Sequence, residues 1–150
     1  MSDNTDNSNP ALNDTERNPQ ATKYFDLHVT GIGYLNRVRE VPVKRAQSFL
    51  AVDISALHGD SEDVQYTRFD CRVSGSDAKA IIEHLMPIIA DDNNKVLVGF
   101  KLGDLYVDTF TYQSGDKAGE TGVSLKSRLL RIDWVKVNGK PFDIALRTAV

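Results

Sequence analysis

The chain has 150 residues and a formal net charge of -3, with 41% hydrophobic and 26% charged residues, which is the profile of a one-domain globular protein. No apolar run reaches membrane-spanning length, the N-terminus lacks the basic start and apolar centre of a signal peptide, and one cysteine provides no disulfide framework. These features argue against a membrane or secreted protein and predict a cytoplasmic one.

Residues 1–22 differ in composition from the rest of the chain. They are rich in Asn, Asp, Ser, Thr and Pro, and they carry four acidic residues against one basic residue. Such a segment buries too little apolar surface to offset its ordering entropy, so we predict a disordered N-terminal tail. The remaining residues are neutral overall; we assign 23–140 to a single domain and 141–150 to a short C-terminal tail.

The first predicted strand runs from Tyr24 to Val41. Its first half alternates apolar and polar residues, which predicts one buried and one exposed face. The glycines at 31 and 33 interrupt the pattern, and glycine inside a strand is typical of a bulge or bend. A long first strand that bends at glycine can pair in two sheets, as in a small five-stranded barrel.

Two further strands and a helix follow. Residues 49–58 and 64–73 alternate with period two, and the second of these runs has Phe69, Cys71 and Val73 on its apolar side. Residues 74–90 change to helical spacing, with apolar side chains at positions 81, 82, 85, 86 and 89.

The last two predicted strands are residues 95–112, interrupted at Gly103–Asp104, and residues 123–137, whose alternation slips at Leu129–Leu130. Residues 113–122 are a hairpin tip, and Asn138–Gly139 is a turn signal. The order predicts a mainly β protein, a five-stranded OB-fold-like barrel (oligonucleotide/oligosaccharide-binding) with one helix between strands 3 and 4. Another small barrel or an α+β sheet is the alternative.

Three runs resemble bacterial single-stranded DNA-binding proteins. They are DLHVTGIGYL, then YTRFDCRVSGSDAKAIIEHL, and NNKVLVGFKLGDLYVDTFTY. The resemblance implies an OB fold that binds single strands. The chain departs from that family at its end, DIALRTAV, where the family has an acidic, phenylalanine-tipped tail that recruits partners.

A closer resemblance covers nearly the whole body of the chain. The runs YFDLHVTGIGYLNRVREV, FDCRVSG, KVLVGFKLGDLY and TGVSLKSRLL resemble replication proteins carried on bacterial integrative and conjugative elements, a little-characterised family. This resemblance implies a role in maintenance of element DNA and supplies no reaction.

Catalytic chemistry has little support in the sequence. The three histidines are scattered without metal-ligand spacing, and Cys71 shares the apolar side of its strand, which is typical of core packing. Gly31-Ile32-Gly33 lacks the third glycine and the following helix of a dinucleotide site. We therefore expect no enzyme, no cofactor and no metal site.

Binding chemistry is better supported, because non-specific single-strand binders combine basic groups that contact phosphates with rings that stack on bases. Aromatic and basic residues occupy the predicted outer face of four strands, and they are the candidate nucleic-acid-binding residues: Tyr34, Arg37, Tyr66, Arg68, Arg72, Lys101, Tyr106, Tyr112, Lys126 and Arg128. Phe110 and Trp134 are expected in the core.

The sequence thus predicts a non-enzymatic protein that binds single-stranded DNA during replication or transfer of a mobile genetic element. The grooves of OB folds bind single-stranded DNA or RNA, so RNA is an alternative ligand. The alternative is a structural or adaptor module that assembles with replication proteins, which the neutral body favours. We also expect a homo-oligomer, because an open barrel must cover its strand edges.

Overall fold

A computed structural model describes residues 24–144. The predicted N-terminal tail, residues 1–22, and most of the predicted C-terminal tail lie outside these residues. In chain order the elements are β1 (His28–Val43), β2 (Ala46–Asp60), β3 (Asp63–Val73), α1 (Ser76–Ile89), β4 (Val96–Thr111), β5 (Thr121–Val137) and β6 (Lys140–Phe142).

The strands form one sheet in the order β3-β2-β1-β4-β5-β6, and a further pairing of β3 with β5 closes the first five strands on themselves. The closing pair is parallel and joins Phe69–Val73 to residues 125–129, whereas the other pairings are antiparallel. With α1 between β3 and β4, this is the predicted mainly β, OB-like arrangement, and the fold prediction is confirmed. The sheet also has a sixth strand, β6, which follows a turn at Asn138–Gly139 and was not predicted.

The first register shift of β1 lies a few residues after its glycines, not at them. Its pairing with β4 runs without a shift from His28 to Tyr34, so the alternation continues through both glycines. The register with β2 shifts instead between Asn36 and Arg39, where Arg37 has a φ of 53°. The prediction of a glycine bulge is therefore wrong. Gly33 is required because β2 lies close to β1 there: a Cβ at position 33 would lie 2.7 Å from the backbone oxygen of Ser55.

β4 and β5 continue beyond the closed sheet as a two-stranded extension. A register shift between Gly103 and Tyr106, with a φ of 55° at Asp104, separates the two parts of β4. Beyond it, residues 106–111 pair with residues 121–126, and we call this hairpin the arm. The change of alternation predicted at Leu129–Leu130 is present as a register shift between β4 and β5. Adjacent residues Lys101 and Leu102 pair with Arg131 and Leu129, so Leu130 is left without a partner on β4 in this register.

The core lies inside the closed sheet and under α1. The inward side chains of β2, β3 and β4 predicted from alternation are buried, and so are Ala78, Ile81, Ile82 and Leu85 of α1. The helix packs this apolar side against β1 and β5. No helix within residues 24–144 is long and apolar enough to cross a membrane.

Candidate nucleic-acid interface

β3 provides the floor of the candidate site. Its alternation places Phe69, Cys71 and Val73 in the core, so the residues between them point outward. Tyr66 and Arg68 are exposed towards the arm, and Arg72 is exposed nearer the turn between β1 and β2.

The arm provides one wall. Phe110 and Tyr112 meet edge to face with ring centroids 5.0 Å apart. Phe110 lies against Gly122 on the neighbouring strand, where a Cβ would come within 2.4 Å of its ring. Both rings line the same depression as Tyr66 and Arg68, which we call the arm-side depression. Three aromatic rings from two elements therefore meet in one open concavity.

A second depression lies beside the first. We call it the turn-side depression, and its lining includes Phe49, Arg72, Tyr106 and Arg128. Asp70 and Lys126 line both depressions, so the two form one continuous surface, the groove, on the outer face of the sheet. In OB barrels the face of strands 2 and 3, with the loops beside it, is where oligonucleotides bind.

A buried carboxylate lies beneath the arm-side depression. Asp53 on β2 is only 2% exposed, although it belongs to the outward side of its strand. Arg37 donates to it from Nε at 2.8 Å and Arg39 from Nη1 at 3.2 Å, and Arg68 Nη1 lies 3.9 Å away. The hydrogen bond and the charge of Asp53 raise the pKa of Arg37. Three arginines thus surround one carboxylate.

Asp70 continues this network across β3. Arg39 Nη2 donates to Oδ1 and Lys126 Nζ donates to Oδ2, both at 2.7 Å. Burial by itself raises the pKa of Asp70, but the hydrogen bond and charge of Lys126, together with Arg39, outweigh it and lower the pKa. A chain of ion pairs therefore joins β1, β2, β3 and β5 and holds Arg37, Arg39 and Lys126 in place.

The groove is positive, but only moderately. Its lining has six basic residues against four acidic ones, for a net charge of +2. Arg128 pairs with Asp104 at 3.2 Å. The guanidinium of Arg72 lies 4.3 Å above the Phe49 ring, and no carboxylate of residues 24–144 lies within ion-pair distance of it. Arg72 and the loosely paired Arg68 are therefore the cations most available to a phosphate.

The structure brings together eight of the ten predicted site residues, which line the groove: Arg37, Tyr66, Arg68, Arg72, Tyr106, Tyr112, Lys126 and Arg128. Tyr34 lies at its end, with its ring centroid 6.5 Å from that of Tyr66. Lys101 lies elsewhere, on the outer face of β4 opposite Thr30 and Arg131.

Two predictions of burial are wrong. Phe110 is 41% exposed and Trp134 is 37% exposed. Each lies against a glycine of the neighbouring strand, Gly122 and Gly99 respectively, so each ring rests on the outside of the sheet instead of entering the core. The alternation of hydrophobic residues cannot show this, because the glycine that receives the ring is on another strand.

Asp53 and Arg39 were not among the predicted site residues. The available signal was the single charge inside the apolar run of β2, FLAVDISA, since a carboxylate in such a run requires partners. Arg39 is two residues from Arg37 on β1, and its side chain bridges both acids.

Cys71 is buried as predicted, with Sγ 3.3 Å from Ser127 Oγ. Burial raises the pKa of its thiol to about 12, so the reactive thiolate is scarce at neutral pH. Within residues 24–144 there is no cluster of three or more His, Cys, Asp or Glu side chains placed to hold a metal ion.

Among solved structures, the chain is similar to a small single-stranded DNA binding protein from Mycoplasma pneumoniae, with 12% sequence identity and a TM-score of 0.40 over 73% of this chain and 93% of that one. At that identity and TM-score, the likeness gives no information on what this chain binds. No curated protein matches the chain. The sequence model of the family described as "Protein of unknown function (DUF3577)" matches residues 18–146, so the chain belongs to this family.

Proposed function

We propose that this protein binds single-stranded DNA in the groove, without a cofactor and without catalysing a reaction. The observation that carries the proposal is the arm-side depression, where Tyr66 on the floor and Phe110 and Tyr112 on the wall share one surface with Arg37, Arg68 and Lys126. Rings that stack on bases beside cations that contact phosphates are the combination that single-strand binding requires.

The ion-pair network supports this role. Asp53 and Asp70 hold Arg37, Arg39 and Lys126 in fixed positions before any ligand arrives, so less side-chain entropy is lost on binding. Arg68 and Arg72 contact phosphates, and Tyr66 stacks on a base. Duplex DNA keeps its bases paired and stacked, so we expect it to bind more weakly.

The test is a titration of the protein into fluorescently labelled oligo(dT), duplex DNA and single-stranded RNA at two salt concentrations, read by anisotropy. We expect oligo(dT) to bind at low salt, more weakly at high salt, and in preference to duplex. Equal or tighter binding of RNA would assign the groove to RNA. Absence of oligo(dT) binding at low salt would overturn the proposal.

Two substitutions separate the stacking and electrostatic contributions. Tyr66→Ala should weaken oligo(dT) binding by about 1–3 kcal/mol with little change in salt dependence, because it removes a stacking ring. Arg72→Ala should weaken binding and also flatten the log–log salt dependence by about 0.7, because it removes one phosphate contact. Tyr66→Phe and Arg72→Lys are the matched controls, since they keep the ring and the charge.

We further propose that the ligand is DNA of a mobile genetic element during its replication or transfer. This step is supported by the resemblance of the runs at residues 24–41, 69–75, 95–106 and 121–130 to element replication proteins. Its test is whether deleting the gene from such an element lowers the element's copy number or transfer frequency.

A second candidate function is a non-catalytic adaptor that assembles with other replication proteins. Two observations favour it: acidic partners occupy most of the cations of the groove, and the arm exposes Val107 and Val123 at 61% and 65%. The same titration discriminates between the two candidates, because an adaptor that touches DNA weakly leaves oligo(dT) anisotropy nearly unchanged at low salt.

A further inference from the structure

A second aromatic and basic surface lies outside the groove, on the outer face of β1, β4 and β5. Strand pairing places Ile32 opposite Gly99, and Gly99 opposite Trp134, in one row across the three strands. The indole lies across Gly99, where a Cβ would be 2.5 Å from Nε1. Gly99 therefore lets the ring rest against the backbone while 37% of the residue stays accessible.

One cation lies close to this ring and two more lie further along the same strands. Lys136 Nζ lies 5.8 Å from the centre of the indole, and Lys101 and Arg131 face each other across β4 and β5. In the stretches 28–34, 97–101 and 131–136 the single acidic residue is Asp133, which pairs with Arg131 at 2.6 Å. The surface thus has an excess of positive charge beside an accessible aromatic ring.

Tyr34 connects this surface to the groove. Its ring contacts Tyr66 on the groove side, and on the other side its residue pairs with Leu97, which is itself opposite Lys136. Trp134 is two strands across from Tyr34 and two residues along, a distance of about 12 Å from ordinary strand spacings. A chain that leaves the groove past Tyr66 therefore reaches Trp134 without crossing the core.

We infer that the outer face of β1, β4 and β5 around Trp134, the Trp134 face, binds the continuation of the single strand held in the groove. The indole stacks on a base, and Lys101 and Lys136 contact phosphates. The inference rests on the proposed function. A second copy of the chain fits the face less well, because a two-fold interface would set the same cations against each other.

The test uses Trp134 as its own reporter, since the chain contains one tryptophan. Oligo(dT) of about 4 and about 16 nucleotides, the ends of the OB site-size range, are titrated while indole emission and labelled-oligonucleotide anisotropy are recorded. We expect the long oligonucleotide to quench the emission in step with its anisotropy change, and the short one to bind with little quenching.

Variants provide the second readout. Trp134→Ala should weaken binding of the long oligonucleotide by about 5- to 150-fold, the range for one stacking ring, and leave the short one unchanged, while Trp134→Phe keeps most of the affinity. In case Trp134→Ala does not fold, Lys101→Gln with Lys136→Gln should flatten the salt dependence for the long oligonucleotide by about 1.4. Lys79→Gln, on the exposed side of α1, is the control for lost charge.

The outcomes separate the two sites. Normal binding of the long oligonucleotide without quenching, and with unchanged affinity in the Trp134 and lysine variants, overturns the inference and leaves the groove intact. Loss of binding in the Tyr66 and Arg72 variants, with quenching of Trp134 still present at high oligonucleotide concentration, supports both sites. If neither oligonucleotide binds, both the groove and the Trp134 face are overturned as binding sites. A protein-concentration-dependent emission shift without DNA assigns the face to self-association and overturns the inference.

Discussion

At the scale of single residues, the groove depends on carboxylates that fix the direction of its cations. Asp53 is buried and accepts hydrogen bonds from two arginines, and Asp70 is shared by Arg39 and Lys126. Charge-assisted hydrogen bonds of this kind fix the direction of a guanidinium more strictly than a neutral partner does.

Replacing Asp53 tests this dependence. We expect Asp53→Asn to lower the free energy of unfolding by about 1–3 kcal/mol, because hydrogen bonds to charged groups are lost at a buried position. The cost stays below that of a fully buried pair, since the Arg37 side chain is 64% exposed and remains hydrated. Urea denaturation measures the change. Asp108→Asn, at an exposed position of the arm, is the control and should change stability by less than about 0.5 kcal/mol.

Asp70 predicts a pH dependence of stability. Its pKa in the folded protein is lowered from the ordinary 3.8, so ionisation of this carboxyl favours the folded state. This contribution is fully present above the unfolded value of 3.8 and is lost as the pH falls through the lower, folded pKa. The stability difference between the wild-type protein and Asp70→Asn should therefore shrink in urea unfolding as the pH is lowered below about 4. A difference that is independent of pH from neutrality to pH 2 would contradict the assigned role of the ionised carboxyl.

At the scale of elements, β1 organises the sheet because it pairs with β4 through its first half and with β2 through its second. Gly33 and Tyr34 pair on both sides, so the strand passes from one half of the barrel to the other at these residues. Gly33 has no room for a side chain, since Ser55 O and Ile54 Cγ2 lie within 3 Å of a Cβ built there.

Alanine at the two glycines of β1 should have different effects. Gly33→Ala must displace the backbone of β2, and we expect a loss of about 1–3 kcal/mol, typical of overpacking. Gly31→Ala is the matched control in the same strand: its Cβ would lie 3.3 Å from one edge of the Phe100 ring, which can move slightly, so the loss should be smaller. Equal losses in thermal or urea unfolding would show that backbone freedom, and not the close approach of β2, requires the glycines.

At the scale of the whole molecule, residues 1–22 carry the entire net charge of -3, and several acidic residues of the described chain lie at its turns. Asp60, Glu62 and Asp63 lie at the β2–β3 turn, Asp91 and Asp92 follow α1, and Asp116 and Glu120 are at the tip of the arm. Bulk charge is therefore a poor guide to the groove, whose cations come from three different strands.

The open parts of the fold also predict self-assembly. β3 pairs with β5 only from Phe69 onward, so among residues 24–144 no strand pairs with the second edge of residues 63–68, and the arm exposes Val107 and Val123. We expect a homo-oligomer by light scattering at tens of micromolar, and a smaller assembly for Val123→Glu. Lys79→Glu, on the helix, is the control. A monomer at that concentration would count against the prediction.

Local pattern by itself determined most of the fold. The period of two in β2, β3 and β4 identified which side chains enter the core, the change to helical spacing located α1, and the order of elements indicated the OB-like arrangement. The outward positions of Tyr66, Arg68 and Arg72 follow from the same alternation. These features depend on residues that are close together in the sequence, so they can be predicted from the sequence alone.

Only the tertiary structure decided the features that depend on contacts between distant strands. Closure of β3 on β5 brings Lys126 to Asp70, 56 residues away, and converts a predicted free cation into a paired one. The burial of Asp53, the meeting of the arm with β3 and the resting of Trp134 on Gly99 also join residues from different strands. Alternation within one β-strand shows which face of the strand a side chain occupies. The burial and charge of that face are set by the neighbouring β-strands, so the alternation pattern cannot predict them.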